Sequence, residues 1–300
     1  MNKGIYYATF TAFLWGFLAI ALKVALYSLP PLTVTWLRFA IAFVFLFLWY
    51  LIIDFPKTKI LIKPPLFAII AGVCLGLNYI GYITGIYQTT PVIGQIFIQT
   101  GPVLLAISGF IIFKERVTLR QGIGLAVVLI GMLVFYHEKI IVIAGGMAKY
   151  KTGVLWILFG AMSWATYAIF QKKAVVKHHP MQLNLVIFGI PMLFLLPLID
   201  FGKLAGISFN LWLLVLFLGL NTLGAYGSLA FALKYLEANK ISVIITLNPL
   251  ITFAVMAYLG YRHISWIQAE TWTVITLAGG IMVLLGVILV VLRKQEKITK

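Results

Sequence analysis

The sequence predicts an all-α integral membrane protein with ten transmembrane helices, arranged as two inverted repeats of five helices. The first observation is composition: 63% of the 300 residues are hydrophobic and only 10% are charged. A soluble domain of this size could not cover its surface with so few polar groups. The second is a series of ten apolar stretches of bilayer-spanning length. The third is a set of motifs that recur in the second half of the chain.

The ten predicted spans follow from the requirement for about 20 apolar residues to cross the hydrocarbon core. They cover residues 4–26, 32–53, 65–87, 91–113, 118–136, 151–172, 180–200, 209–233, 239–260 and 271–292. The segments between them are short and hold most of the charged residues. This distribution is typical of a multi-pass membrane protein.

The basic residues predict the orientation of the chain. With the N-terminus in the cytoplasm, 16 of the 23 Lys and Arg residues fall in inside segments and five in outside loops. Because basic residues favour the cytoplasmic side, both termini are predicted to be cytoplasmic. The formal charge of +16 is scattered over these loops, so no nucleic-acid partner is expected. The single cysteine, Cys74, indicates neither a disulfide nor a metal site.

Residues in the two halves match at offsets between 143 and 155, which drift with loop length. The matched pairs are Trp15 and Trp164, Lys23 and Lys172, Asn78 and Asn221, Gln99 and Thr246, Pro102 and Pro249, Gly124 and Gly279, and Gly131 and Gly286. We therefore expect one repeat over residues 1–140 and a second over residues 150–300. An odd number of spans per repeat makes them cross the membrane in opposite senses. Inverted repeats are typical of alternating-access carriers, whose solute site lies near the midplane.

The stretch QIFIQTGP carries the strongest site signal. Gln95 and Gln99 are four residues apart and share one face of the fourth span, with Pro102 about one turn later. Amides in a membrane helix are costly unless they face protein, water or a ligand. The matching positions in the second repeat, all at an offset of 147, are Ser242, Thr246 and Pro249. We expect both stretches to line a solute pathway, with each proline freeing a backbone carbonyl and supplying a bend.

Two sets of side chains are candidates for solute binding. The amide and hydroxyl set is Asn78, Gln95, Gln99, Asn221, Ser242, Thr246 and Asn248, which could instead hydrogen-bond between helices. The aromatic set is Trp15, Tyr79, Tyr82, Trp164 and Tyr167, which could stack on a solute or face lipid. Arg38, about two turns inside span two, could hold a solute carboxylate or clamp backbone carbonyls. Lys23 could also hold a solute carboxylate, or its ammonium group could snorkel to the headgroups.

The acidic and histidine residues all fall at loops or span ends. Proton-coupled carriers usually need a buried titratable group, so facilitated diffusion or exchange is expected rather than proton antiport. A proton route through Glu237, near the mouth of span nine, is the open alternative. No nucleotide motif, cofactor motif or catalytic constellation is present, so we expect neither cofactor nor metal, and no enzymatic activity.

Five motifs together resemble a known family: Leu14–Gly16, Leu37–Ala40, Phe113–Val117, Tyr235–Ala238 and Leu247–Pro249. In order and duplication they are similar to the drug/metabolite transporter superfamily, specifically to a tandem pair of EamA domains. The second copy departs at residues 261–263 and carries about eight extra residues near 266–273. The resemblance implies a ten-helix inner-membrane carrier, often an exporter of amino acids or other small metabolites. In similar aromatic amino-acid exporters, spans three, four, eight and nine line the cavity.

These observations favour a secondary transporter, a monomer or weak homodimer in the lipid bilayer. Its solute is predicted to be a small neutral or zwitterionic metabolite, with an amino acid as the first candidate, moved by uncoupled export or exchange. An anionic solute, such as a sugar phosphate or nucleotide sugar, would need several basic residues at mid-depth, and only Arg38 qualifies. A non-transporting membrane scaffold is the alternative from another class.

Overall fold

The fold was analysed in a computed structural model, which describes residues 3–138, 140–141, 147–263 and 273–291. Helices dominate these ranges, joined by short turns and three 3-10 segments. The α-helices are α1 Lys3–Ala25, α2 Pro31–Ile53, α3 Leu66–Gln88, α4 Pro91–Ile98, α5 Thr100–Ile111, α6 Leu119–Phe135, α7 Met147–Ala174, α8 Pro180–Leu195, α9 Phe209–Tyr235, α10 Ala238–Ile245, α11 Asn248–Tyr261 and α12 Val274–Val291.

The helices confirm the predicted fold class of a multi-pass, all-α membrane protein. Within the described ranges, nine helical segments are long and apolar enough to cross a bilayer, counting α4–α5 and α10–α11 as one segment each. The helix α6 supplies a tenth apolar segment of 17 residues. The predicted extra residues at 266–272 and the basic C-terminal residues 293–300 lie outside the described parts of the chain.

The fourth and ninth spans are each interrupted near the middle. Pro102 has no N–H with which to bond the carbonyl of Ile98, four residues earlier, and α4 ends at Ile98. Pro249 stands in the same relation to Ile245, where α10 ends. A helix therefore ends four residues before each proline, at matching places in the two halves.

The helices of the two halves pack against each other in a symmetric pattern. The helix α1 packs against α9, α3 packs against α7, and α6 packs against α12. Thus the first helix of each repeat contacts the third helix of the other repeat. The matched Asn residues follow this rule: Asn78 Nδ2 donates to Gly160 O at 2.9 Å, and Asn221 Nδ2 donates to Leu14 O at 2.9 Å.

Glycine permits the close contact between α6 and α12. A Cβ atom added at Gly279 would lie 2.3 Å from the backbone nitrogen of Phe135, and one at Gly131 would lie 2.8 Å from the nitrogen of Val283. No side chain fits at such distances, so both positions require glycine. Small residues let membrane helices approach in this way.

The matched lysines Lys23 and Lys172 hold helix ends. Lys23 Nζ donates to the carbonyls of Ile86 and Thr89, at 3.2 and 3.0 Å, where α3 ends. Lys172 Nζ donates to the carbonyl of Leu236, at 2.8 Å, where α9 ends. A cation at a helix C-terminus satisfies free carbonyls and complements the helix dipole. Lys23 is therefore engaged with α3.

Candidate functional site

A central cavity lies where the broken spans of the two repeats meet. Its volume is about 50 Å³ in this conformation. Helices from both repeats line it, and most lining side chains are buried. The lining residues are Trp15, Leu18, Arg38, Asn78, Tyr79, Tyr82, Gln95, Ile98, Gln99, Pro102, Trp164, Tyr226, Ile245 and Asn248.

The two glutamines of the fourth span border this cavity, as the sequence predicts. Gln95 Nε2 donates to Tyr82 Oη at 3.2 Å, and Gln99 Nε2 donates to Asn248 Oδ1 at 3.1 Å. The second bond joins the two repeats at the helix breaks. The Oε1 atoms of Gln95 and Gln99 are buried, and neither has a hydrogen-bond partner among the described residues. Two carbonyl acceptors next to the cavity are therefore unpaired.

Aromatic rings form a second part of the wall. The matched residues Trp15 and Trp164 meet edge to face, with ring centroids 5.8 Å apart. Trp15 also contacts the ring of Tyr226 at 5.3 Å, again edge to face. Such rings present an apolar surface with polar N–H and O–H groups at its margin. This surface suits a solute with an apolar or aromatic portion.

Arg38 supplies the positive charge of the cavity wall. Its side chain is only 1% exposed. Its Nε donates to Thr222 Oγ1 at 3.0 Å and its Nη2 donates to Tyr79 Oη at 3.1 Å, while the guanidinium lies 4.3 Å from the centre of the Tyr79 ring. These contacts are with neutral side chains. Neither Asp, Glu nor His is among the residues that line this cavity.

Five predicted site residues do not line the cavity. Pro249 and Tyr167 are buried behind its wall, and the Tyr167 ring lies 5.5 Å from that of Tyr226. The hydroxyls of Ser242 and Thr246 are also buried and donate to carbonyls of the local backbone, at 2.8 and 2.6 Å. Ser242, Thr246 and Pro249 therefore lie at the helix break, whereas Tyr167 packs against Tyr226 on another helix.

Asn221 is the fifth and lies farthest from the expected position. It borders a separate outer groove between α1 and α9, with Phe10, Leu14 and Leu220 among its neighbours. Its amide bonds the α1 backbone, as described above. The motif that it shares with Asn78 thus marks the helix contact, and we leave Asn221 out of the proposed site.

Sequence reasoning missed four lining residues: Leu18, Ile98, Tyr226 and Ile245. Ile98 and Ile245 carry a usable signal, since each stands four residues before a span proline and so ends the preceding helix. Tyr226 follows Asn221 by five positions, which turns it by about 140° around the helix. The repeat match at Asn221 therefore indicated the wrong face of α9.

On the side where α1 begins, a buried carboxylate joins the two halves of the chain. Glu115, after α5, accepts bonds from the backbone N–H groups of Ala238 and Asn239 at 2.7 and 3.1 Å. Its carboxylate also lies 3.6 Å from Lys172 Nζ, and the two side chains are only 9% and 14% exposed. A Cβ atom at Gly109 would lie 2.7 Å from Glu115 Oε2, so glycine leaves room for the carboxylate. We call this contact the Glu115 latch.

The described residues on the opposite side include no matching carboxylate contact. The residue that matches Glu115 at an offset of 147 is Arg262, which is exposed. The N-terminus of α4, which corresponds to that of α10, is capped locally by the Thr90 side chain, which accepts from Ile93 N at 3.2 Å. Among the described residues, such a carboxylate contact is therefore found only on the side of the membrane on which α1 begins. Across the described ranges, no cluster of three His, Cys, Asp or Glu residues could hold a metal.

Comparison with known proteins gives consistent findings. The EamA-like transporter family matches residues 2–137 and 151–292. An uncharacterized transporter of Haemophilus influenzae is 32% identical over 289 residues, covering 95% of this chain and 94% of its own length. The uncharacterized inner membrane transporter YhbE of Escherichia coli is 30% identical over 252 residues, covering 83% and 78%.

Two further similarities extend over nearly the whole chain. A probable amino-acid metabolite efflux pump of Salmonella typhimurium is 26% identical over 307 residues, covering 95% of this chain and 93% of its own length. A crystal structure of another protein superposes with a TM-score of 0.74 at 16% identity and covers 97% of both chains. At that identity the superposition supports the fold alone.

Proposed function

Since this chain belongs to the EamA-like transporter family, we propose that it carries a small metabolite, and specifically an amino acid, across the inner membrane by alternating access. One observation carries the proposal: residues of both repeats line a single cavity at the breaks of the fourth and ninth spans. Broken helices at a repeat interface are the usual site of solute binding in such carriers.

The chemistry of the cavity supports an amino acid as the solute. Amide groups, tyrosines and tryptophans form most of its polar and aromatic wall, with a single arginine. Such a wall combines apolar surface for a side chain with polar groups for a charged backbone. The name of the Salmonella relative, a probable amino-acid metabolite efflux pump, agrees with this choice.

The Glu115 latch supports the alternating part of the proposal. It joins the end of span four in the first repeat to the start of span nine in the second repeat. In an alternating-access cycle this bond must break whenever that end opens. With both termini cytoplasmic, as the basic residues predict, the latch closes the cytoplasmic end. Net export or exchange down a gradient then requires no enzymatic step and no cofactor.

An anionic solute is the second candidate within this class, and Arg38 is the observation that favours it. Sugar phosphates carry at least two negative charges near neutral pH, and we expect several basic groups to bind them. Arg38 is alone in this respect among the residues that line the cavity. The proposal therefore places amino acids first.

Purified protein in liposomes, supplied with labelled amino acids and sugar phosphates, tests the proposal. We expect counterflow of at least one amino acid and none of the phosphates. Trp164→Leu, in the cavity wall, is expected to reduce this flux by roughly tenfold, the loss typical of an important aromatic contact. Trp156→Leu is the matched control, because Trp156 lies on the same helix and is 37% exposed on its surface.

Two outcomes would refute the proposal. Failure of the unaltered protein to move any solute of the panel would favour a membrane scaffold. Equal loss of flux in Trp164→Leu and Trp156→Leu would show that the cavity has no special part in transport.

A further inference from the structure

The strongest unused observation is the unbalanced charge of Arg38. Its guanidinium has five N–H donors, and its hydrogen bonds engage Thr222 through Nε and Tyr79 through Nη2. Tyr79 Oη in turn donates to Thr222 Oγ1 at 3.2 Å. No Asp or Glu carboxylate among the described residues forms an ion pair with Arg38. A full positive charge thus remains in the cavity wall with neutral neighbours only.

Such a charge requires an anion. Arginine does not lose its proton in proteins, so it cannot become neutral as a buried lysine can. An isolated cation at membrane depth is costly, and in known proteins it pairs with an anion or faces a pathway. Because Arg38 lines the cavity, the missing anion can come from the solute. A carboxylate fits, since its two oxygens match the planar guanidinium.

The side-chain oxygens of the two glutamines of the fourth span lack hydrogen-bond donors, whereas Arg38 lacks an anion. Gln95 and Gln99 are 2% and 5% exposed, and their amide nitrogens already donate to Tyr82 and Asn248. Their buried Oε1 atoms lack partners within the described structure. Leaving a buried acceptor unpaired is unfavourable. An ammonium group, with three donors and no acceptor, is the kind of partner that these two oxygens lack.

We propose that the cavity binds its solute in one orientation, with a carboxylate at Arg38 and an ammonium at the Oε1 atoms of Gln95 and Gln99. The apolar side chain of the solute then faces Trp15 and Trp164. This inference rests on the proposed transport of amino acids and adds which end of the solute each wall recognises. It defines the solute class as α-amino monocarboxylates, because a simple amine or a simple carboxylic acid satisfies only one of the two walls.

Three solutes of similar shape test the orientation on the unaltered protein. L-phenylalanine has both charged groups, its amide lacks the anion, and 3-phenylpropanoate lacks the ammonium. We expect each analogue to compete for labelled phenylalanine in liposomes roughly tenfold or more weakly than phenylalanine itself, which is the loss of one charged hydrogen-bonding group. This comparison does not depend on any variant folding.

Variants then assign each group to its wall. Arg38→Gln is expected to lower the affinity for phenylalanine to that for the amide. The affinity for the amide itself should change by no more than about twofold, because removing the guanidinium and removing the carboxylate abolish the same interaction. Arg38→Lys, which keeps the charge, is expected to restore part of the difference. The double variant Gln95→Leu, Gln99→Leu is expected to lower the affinity for phenylalanine to that for 3-phenylpropanoate. Its affinity for 3-phenylpropanoate should stay within about twofold.

The outcomes separate this inference from the proposed function. Transport of a sugar phosphate, with no amino acid moved, would refute both. Transport of phenylalanine with equal competition by the amide and by 3-phenylpropanoate would refute the orientation alone. Equal weakening of phenylalanine and its amide by Arg38→Gln would also refute it, since Arg38 would then act on the fold rather than on the carboxylate.

Discussion

The Glu115 latch gives the sharpest prediction about the transport cycle. We consider Glu115→Gln, which keeps the size of the side chain and removes its charge. The carboxylate accepts from Ala238 N and Asn239 N through separate oxygens, at 2.7 and 3.1 Å, whereas a glutamine in the same place turns its NH2 group towards one of these two donors. The pairing with Lys172, at 3.6 Å, loses its negative partner as well.

The magnitude follows from these contacts. Hydrogen bonds to charged groups contribute about 1.5–3 kcal/mol and neutral ones about 0.5–1.5 kcal/mol. Losing one bond and weakening another therefore costs the closed state about 2–3 kcal/mol. The equilibrium should shift roughly 30- to 140-fold towards the state in which this end is open.

Cysteine accessibility measures the shift. Ile245 lines the cavity and is 1% exposed, so a cysteine there reacts with an impermeant thiol reagent only when one end opens. In an Ile245→Cys, Cys74→Ser background, Glu115→Gln should raise the labelling rate from the α1 N-terminal side by roughly tenfold or more. Labelling from the opposite side should fall.

A matched control removes the same charge elsewhere. Asp54 pairs with Lys57 at 2.7 Å, three residues away and with both side chains more than a third exposed. Asp54→Asn should leave both labelling rates within about twofold, as expected for an exposed pair. If Glu115→Gln left the rates as unchanged as Asp54→Asn does, the latch would have no role in closing the path.

Three further predictions concern packing, gating and energy coupling. Gly279→Ala should lower the melting temperature measurably, because an added Cβ would lie 2.3 Å from backbone and overpacking costs about 1–3 kcal/mol; Gly122→Ala, with open space around it, should not lower it. Pro102→Ala should slow counterflow while leaving phenylalanine affinity within about twofold, since the α4–α5 break can then re-form as continuous helix; unchanged flux would contradict a gating role for the break. An imposed pH gradient should not drive accumulation of the solute against its concentration gradient, because no acidic side chain borders the cavity among the described residues; steep pH-driven accumulation would overturn the uncoupled mechanism.

The sequence was sufficient for the fold because membrane spans and repeats leave strong signals. The length of ten apolar segments and the similar offsets between matched pairs, such as Trp15 and Trp164, were enough to predict it. Contacts between repeats were harder to predict. The meeting of Trp15 with Trp164 depends on how the halves are docked, which the matched positions alone do not fix.

The lining of the cavity was predicted in part for the same reason. Polarity inside a membrane span selects residues that must face protein or solute, and it identified Gln95, Gln99 and Arg38. Polarity alone does not distinguish a residue that faces protein from one that faces a solute. Asn221, which bonds the backbone of α1, was therefore predicted to line the cavity together with these residues. Apolar wall residues such as Ile245 carry no polarity signal. The contact that Glu115 makes was missed because its partners are backbone groups 123 and 124 residues away.

The most direct test of the central claim is whether one residue of the cavity is reached from both sides of the membrane. In the Ile245→Cys, Cys74→Ser protein, we expect an impermeant thiol reagent to react slowly from either side. We also expect a transported solute to protect the cysteine on both sides. Reaction from neither side or from one side only, or labelling that the solute does not slow, would contradict a shared solute site between two alternating repeats.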